Sequence, residues 1–503
     1  MNRTKKFFYN SLTEACLQII TMLAGLIIPR LMLKVYGSEI NGLVTSISQF
    51  ISYFNLLSAG VSGAAVFSLY EPLAKKDYET VSGVVSATKD YYIKAGYFFT
   101  AFSVILAIAY PLYIKSDFIM PFDMALLVLV LGINGALEFF TMAKYRVLLT
   151  ADQKSYVISI ASIIQIVLST TLVFVLANAG VNIVLLKFIA SFAIFLRSAL
   201  LYLYCRKKYL QVNYKAQPIK EALNRKNDVL YLQILGVVQS GLPVILLTFL
   251  LKDLKLVSVY SIYNIVIVGL SGILGIFISG LSASFGEIIA KKEAQVLKKA
   301  YSEFEFSYYI IITVCYSIAF VCIMPFIKLY TANISDVNYN LPIVGFLFVL
   351  NGLMNNVKTP QGMLVMSAGM YRETRWRTTA QAAILLVFGV VFTVLWGISG
   401  VLIAAILSNL YRDIDLLFFV PKKITGTAVL TSFKRILRIF LCVAISCGVF
   451  YFIDIKTANY WQWLALALIC GAWTLTVTFL INFLSDSKEM KNVFVRLKGL
   501  IKK

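Results

Sequence analysis

Asp90-Tyr91-Tyr92-Ile93 is written a second time as Ser307-Tyr308-Tyr309-Ile310, about 217 residues downstream. At the same offset Asn134-Gly135 returns as Asn351-Gly352 and Thr150-Ala151 as Ser367-Ala368. Ala74-Lys75-Lys76-Asp77 returns slightly early, as Ala290-Lys291-Lys292-Glu293. Each echo alone is weak, but four in order at nearly one spacing, in a chain this apolar, mark a duplicated membrane domain. Duplicated membrane domains are most often transporters.

Hydrophobic residues make up 60% of the chain and the mean hydropathy is +0.82, far above a soluble domain. Apolar stretches of about 20 residues, enough to cross ~30 Å of hydrocarbon, fall near 10–33, 42–70, 92–114, 122–142, 156–177 and 183–205. A second run falls near 229–251, 256–284, 306–330, 342–366, 377–396 and 398–420, and two unpaired stretches near 436–453 and 460–484. The sequence therefore predicts an all-α polytopic protein of 14 transmembrane helices, two parallel six-helix repeats plus two C-terminal helices. Its predicted parts are an N-terminal lobe over 1–210, a cytoplasmic linker over 211–228, a C-terminal lobe over 229–422, and the last two helices with a basic tail over 423–503.

Lys and Arg gather on the cytoplasmic side of short loops. With the N-terminus inside, cytoplasmic segments hold 36 of the 46 basic residues, in loops such as 71–94, 206–228 and 412–438. Both termini are then cytoplasmic. The net charge of +22 is spread over helix ends and forms no nucleic-acid module, so no nucleic-acid partner is expected. It suits a face that attracts anionic membrane lipids, with the tail Lys488 to Lys503 either lying on that face or ending in solvent.

None of the seven cysteines forms a C-x-x-C pair and histidine is absent, so neither a metal site nor a cofactor is expected. No phosphate-cradling glycine loop occurs, and the first apolar run is too long for a removable signal peptide. Outer loops of about a dozen residues or fewer, none with more than two carboxylates, leave little room for converging acid and base groups, so an enzyme is not expected.

Function is then sought in polar residues at membrane depth, where each is costly unless it meets a cavity or a partner. Asn10, Glu14, Gln18, Thr21 and Gly25 form one stripe along the first helix, and Thr45, Ser48, Ser52, Asn55 and Ser62 another along the second. The serines suit helix-to-helix hydrogen bonds, whereas Glu14 and Gln18 suit a cavity wall. Pro29 predicts a kink that turns Arg30 toward a lumen; alternatively Arg30 snorkels to the outer headgroups beside Lys34. Asn351, Asn355 and Lys358 share one face of the tenth helix, and Glu138 stands where Asn355 stands in the other copy. Lys358 is expected to bind an anionic headgroup, with Glu138 as counter-ion or proton site; a permanent structural ion pair is the alternative. Ala59-Gly60 with Gly63-Ala64, and Ser271, Gly275 and Ser279, predict close helix approach. Glu71 to Asp90 and Glu287 to Glu305 predict short interfacial helices at equivalent places.

The opening pattern Ile27-Ile28-Pro29-Arg30-Leu31, then Tyr36-Gly37-Ser38-Glu39-Ile40-Asn41-Gly42-Leu43 and Leu56-Leu57-Ser58-Ala59-Gly60-Val61, resembles the polysaccharide-export branch of the multidrug/oligosaccharidyl-lipid/polysaccharide (MOP) flippase superfamily. The resemblance implies two lobes around a cationic cavity lined by the first two helices of each lobe. It also implies alternating access for an oligosaccharide on undecaprenyl diphosphate, in the bacterial cytoplasmic membrane, serving O-antigen, capsule or exopolysaccharide synthesis. Arg30 matches the basic residue that ends the first helix in that branch, and Lys358 would be a cavity cation. Polysaccharide polymerase and chain-length proteins are the implied partners. A cation-coupled drug exporter of the same superfamily, working through Glu14 and Glu138, is the alternative.

Overall fold

The computed structural model describes the backbone of residues 3–116, 118–223, 226–279, 281–453, 457–487 and 489–491. The side chains of 3–5, 7, 54–60, 222, 226–230, 232–233, 276–277, 279 and 282–283 also lie outside the described residues. Every regular element among the described residues is a helix. These are α1 (Arg3–Lys75), α2 (Tyr78–Tyr113), α3 (Pro121–Thr141), α4 (Ala143–Ala151), α5 (Ser155–Asn178), α6 (Ile183–Ser191), α7 (Ala193–Lys208), α8 (Lys226–Leu246) and α9 (Leu254–Ser279). They continue with α10 (Leu281–Ala290), α11 (Ala294–Tyr330), α12 (Pro342–Val357), α13 (Thr359–Ser367), α14 (Tyr371–Val420), α15 (Val429–Tyr451) and α16 (Tyr460–Ser485). Ten helices among the described residues are long and apolar enough to cross a membrane. This is a polytopic all-α membrane protein.

α1 and α14 each carry two of the expected spans, divided where a glycine leaves helical geometry: Gly37 at φ 80° and ψ 174°, Gly397 at φ 57° and ψ −130°. Only a residue without Cβ adopts such angles cheaply. The predicted kink at Pro29 is not the break in α1; non-helical angles come at Gly37, eight residues later.

The duplication is preserved in the backbone. Left-handed residues recur one repeat apart: Lys76 with Lys292, Gln153 with Gly369, Gly37 with Lys252, and Gly180 with Gly397. Around the first pair the turns match bond for bond. Asp77 N–H donates to Pro72 O at 2.9 Å and Glu293 N–H to Ile288 O at 3.3 Å, and the ion pairs Glu71–Lys75 and Glu287–Lys291 are both 2.6 Å long. The expected short interfacial helices are instead single turns. Beyond them α2 and α11 run on for 36 and 37 residues, because the polar stretch before each apolar run keeps helical spacing.

The chain divides into two compact units, Met1–Ser261 and Ile262–Lys503. This division by contact falls inside α9, beyond the linker expected over 211–228, for two local reasons. The linker docks on the first unit: Ile219 N–H donates to Gly83 O at 3.1 Å and Asn213 N–H to Ser82 Oγ at 2.9 Å. The start of α9 and the turn before it are also fastened to α1, where Asn41 Nδ2 donates to Ser258 Oγ at 2.8 Å and Ser46 Oγ bonds Thr248 Oγ1 at 2.9 Å. At that crossing a Cβ on Gly42 would lie 1.7 Å from Leu254 O, so the backbones touch. Close approach is thus found at Gly42; Gly63 and Gly275, predicted as packing sites, face open space.

Candidate functional site

Pro360 ends α12 and opens α13, since its ring clashes with a continuing helix but suits a first turn. The break falls at Lys358. Its ammonium donates to Asn409 Oδ1 on the second half of α14. Asn409 Oδ1 also accepts from Gln381 Nε2 at 3.4 Å, on the first half of α14, and Asn409 Nδ2 donates to Asn351 Oδ1 at 2.9 Å. One ammonium therefore stands among three carboxamides within a single unit. One helical turn past Asn409, on the same face, Asp413 is 8% exposed, and neither of its carboxylate oxygens has a hydrogen-bond partner among the described residues. It lies within electrostatic reach of Lys358. The neighbouring charges are committed elsewhere: Arg412 pairs with Asp415 at 2.6 Å, and Arg377 pairs with the same carboxylate.

The first unit holds a comparable cluster. Glu138 at the end of α3 pairs with Arg146 of α4, and Arg197 on α7 donates to Gln165 Oε1 on α5 at 3.2 Å. Arg197 also lies within reach of Glu138. Gln165 and Gln381 are one repeat apart, and so are Arg197 and Asp413, so the two units carry related polar clusters with the charges exchanged between helices.

The stripe on α1 turns toward α5. Asn10 Nδ2 donates to Gln153 O at 3.0 Å and Asn10 Oδ1 accepts from Tyr156 N–H at 2.8 Å, while Glu14 accepts from Ser159 Oγ at 3.0 Å. Gln18 is half-buried; Arg30 and Asn355 are exposed. Asn55 and most of the tail Lys488 to Lys503 lie outside the described residues. Beside the foot of α1, Asp152 accepts from Lys6 at 2.9 Å and from Tyr209 OH at 2.6 Å, and pairs with Lys154 at 2.5 Å. Burial opposes ionisation of this carboxyl, but the hydrogen bonds from Lys154, Tyr209 and Lys6 outweigh it and hold Asp152 below the usual carboxylate range.

A second buried network fastens α15 and α16 to α11. Glu305, 1% exposed, accepts from Arg435 Nη1 at 2.9 Å, Tyr301 OH at 2.8 Å, Ser432 Oγ at 2.9 Å and Gln361 Nε2 at 3.2 Å. Arg435 also reaches Asp486 and Glu489, both at 3.7 Å. Among the described residues no group of three or more His, Cys, Asp or Glu side chains could hold a metal ion.

Solved structures share this architecture nearly end to end. A lipid II flippase, MurJ, in an inward closed conformation superposes with a TM-score of 0.73 at 13% identity, covering 95% of this chain and 99% of that one. The chain has the fold of MOP-superfamily transporters. An inward-facing multidrug resistance MATE family transporter of that superfamily gives a TM-score of 0.63 at 13% identity over 86% of this chain and 98% of its own. The MATE multidrug transporter DinF-BH gives 0.62 at 14% over 84% and 96%. No protein-family model matches the sequence, and no curated protein does.

Asn409, Gln381 and Asp413 were not among the expected site residues. Gln381 lies in the span 377–396, and the span 398–420, whose end overlaps the basic segment 412–438, encloses Asn409, Arg412, Asp413 and Asp415. Four strongly polar groups in one apolar span are the signal that marks the site.

Proposed function

We propose that this protein is a flippase that moves an oligosaccharide linked to undecaprenyl diphosphate from the cytoplasmic to the outer leaflet by alternating access, for surface polysaccharide synthesis. The observation that carries the reading is Lys358 bonded to Asn409 of a helix long and apolar enough to cross a membrane, α14, with the carboxamides of Gln381 and Asn351 joined to the same Asn409. An ammonium suits a diphosphate that must leave headgroup water, and carboxamides both donate to and accept from sugar hydroxyls. The likeness to a lipid II flippase over 95% of the chain supports the same reading. Arg30, Asn355, Gln18 and Asn55 are proposed as further contacts, with Glu14 and Glu138 as coupling or counter-ion groups. The proposed orientation has both termini cytoplasmic and the basic face against anionic lipid. Polysaccharide polymerase and chain-length proteins are the proposed partners.

The test is deletion of the gene in its host, followed by assignment of undecaprenyl-linked oligosaccharides to one leaflet. Accumulation on the cytoplasmic face with loss of surface polysaccharide is expected. An unchanged lipid pool with heightened sensitivity to cationic drugs would move the function to drug export; the neighbouring MATE structures are named as multidrug transporters.

A further inference from the structure

Among the described residues Asp413 is a carboxylate with no hydrogen-bond donor, in a span, within electrostatic reach of an ammonium that donates to the neutral carboxamide of Asn409. Lys358 acts on Asp413 electrostatically, and the charges on the neighbouring helices are committed to other partners. From α14, Arg412 is spent on Asp415 together with Arg377. From α11, Glu305 is spent on Arg435 of α15, and the Tyr309 hydroxyl donates to Val357 O at 3.1 Å while accepting from Gln361 at 2.8 Å. The counter-charge of Asp413 is therefore Lys358.

We propose that Asp413 is a proton site that trades places with the transported anion as the partner of Lys358. This rests on the reading that Lys358 takes the anionic headgroup. In the empty state the ammonium balances Asp413. When a diphosphate engages Lys358, Asp413 is left without a counter-charge in a dry interior, which disfavours its ionised form, and it takes one proton from water at the loading face. The proton returns to water when the anion leaves and Lys358 recovers its carboxylate. One proton thus travels with each anion, in the same direction, and the load crosses with one negative charge fewer than the anion carries.

Farnesyl diphosphate, an isoprenyl diphosphate soluble enough to titrate, tests this on the purified full-length protein in detergent. Calorimetry at pH 8 in two buffers of different ionisation heat counts protons bound per ligand. The wild type should take up close to one proton more than Asp413→Asn, which should bind at least as tightly, whereas Lys358→Gln should bind at least tenfold more weakly. Equal proton counts in wild type and Asp413→Asn would overturn the proposal while leaving Lys358 as the headgroup site. Failure of the wild type to bind farnesyl diphosphate would remove both. A measurement that needs no variant gives the same decision: dicyclohexylcarbodiimide reacts with protonated carboxyls, so ligand should raise modification of the Asp413 peptide severalfold. Unchanged modification would overturn the exchange.

Discussion

Removing one partner of the Glu305–Arg435 pair should free α15 from α11 by a calculable amount. Both side chains are almost completely buried, at 1% and 4% exposure, so Arg435→Met strands a carboxylate rather than merely deleting a contact. Breaking a buried pair in this way costs about 3–5 kcal/mol. Tyr301, Ser432 and Gln361 still donate to Glu305, which sets the expected cost at the lower end, about 3 kcal/mol. At about 1.4 kcal/mol per decade, the population with α15 locally detached should rise roughly a hundredfold. Cys442 reports it: it is 1% exposed and lies seven residues, two turns, from Arg435 on the same face of α15. In a protein keeping Cys442 as its single cysteine, maleimide labelling should accelerate about a hundredfold in Arg435→Met, and Glu305→Gln on top of it should restore most of the protection. An acceleration below about fivefold, or no recovery in the double variant, would refute the idea that this pair fastens the last two helices.

Gly42→Ala places a methyl 1.7 Å from the Leu254 carbonyl, so α1 and α9 must separate; a loss of about 1–3 kcal/mol should appear as earlier heat-induced loss of the monodisperse peak in size-exclusion chromatography. Gly397→Ala forces a Cβ into the φ 57°, ψ −130° bend and should cost about 1–3 kcal/mol by the same assay. Lys358→Met should abolish transport of the lipid-linked oligosaccharide with normal membrane insertion; retained transport would remove Lys358 from the site. Because Asp152 is held below the usual carboxylate range, its hold on Lys6 and Lys154 is fully present at neutral pH and is lost as the pH falls through its lowered value. Asp152→Asn should therefore raise acetylation of Lys6 at neutral pH above the wild-type level, because the amine is released from its ion pair; equal labelling of the two proteins would show that Asp152 does not hold Lys6.

The fold was legible in the sequence because its two determinants are periodic. Long apolar runs fix the helices, and Lys76-Asp77 with Lys292-Glu293 fix a turn that the backbone repeats with the same left-handed residue. Gly37 and Gly397 were readable only as glycines: their role as breaks depends on φ and ψ values that composition does not encode. Pro29, unlike Gly37, does not interrupt the helix. A proline inside an apolar span can keep its neighbours helical when the surrounding helix supports the missing bond, and α1 stays helical through it. The site was half legible. Lys358 and Asn351 stood out as polar groups in a span, but their partners Gln381 and Asn409 lie 23 and 51 residues beyond Lys358, brought back by α14, and only the tertiary fold joins them.

The exchange of charges between the repeats follows from the same physics. A turn needs a residue able to hold φ near 57°, so Lys76 and Lys292 keep their geometry through duplication. An interior electrostatic pair has no such constraint on which helix carries which sign, because its attraction is unchanged when the charges trade places. What it does not tolerate is loss of one member. The first unit balances the cation Arg197 on α7 with Glu138, and the second sets the carboxylate Asp413, at the position equivalent to Arg197, against Lys358. Glu138 is tied down further by Arg146, whereas among the described residues Asp413 has no hydrogen bond and Lys358 donates to the neutral Asn409. Exchange of partners is therefore cheaper in the second unit, and a loosely held pair among carboxamides is where an incoming anion displaces a carboxylate with least loss.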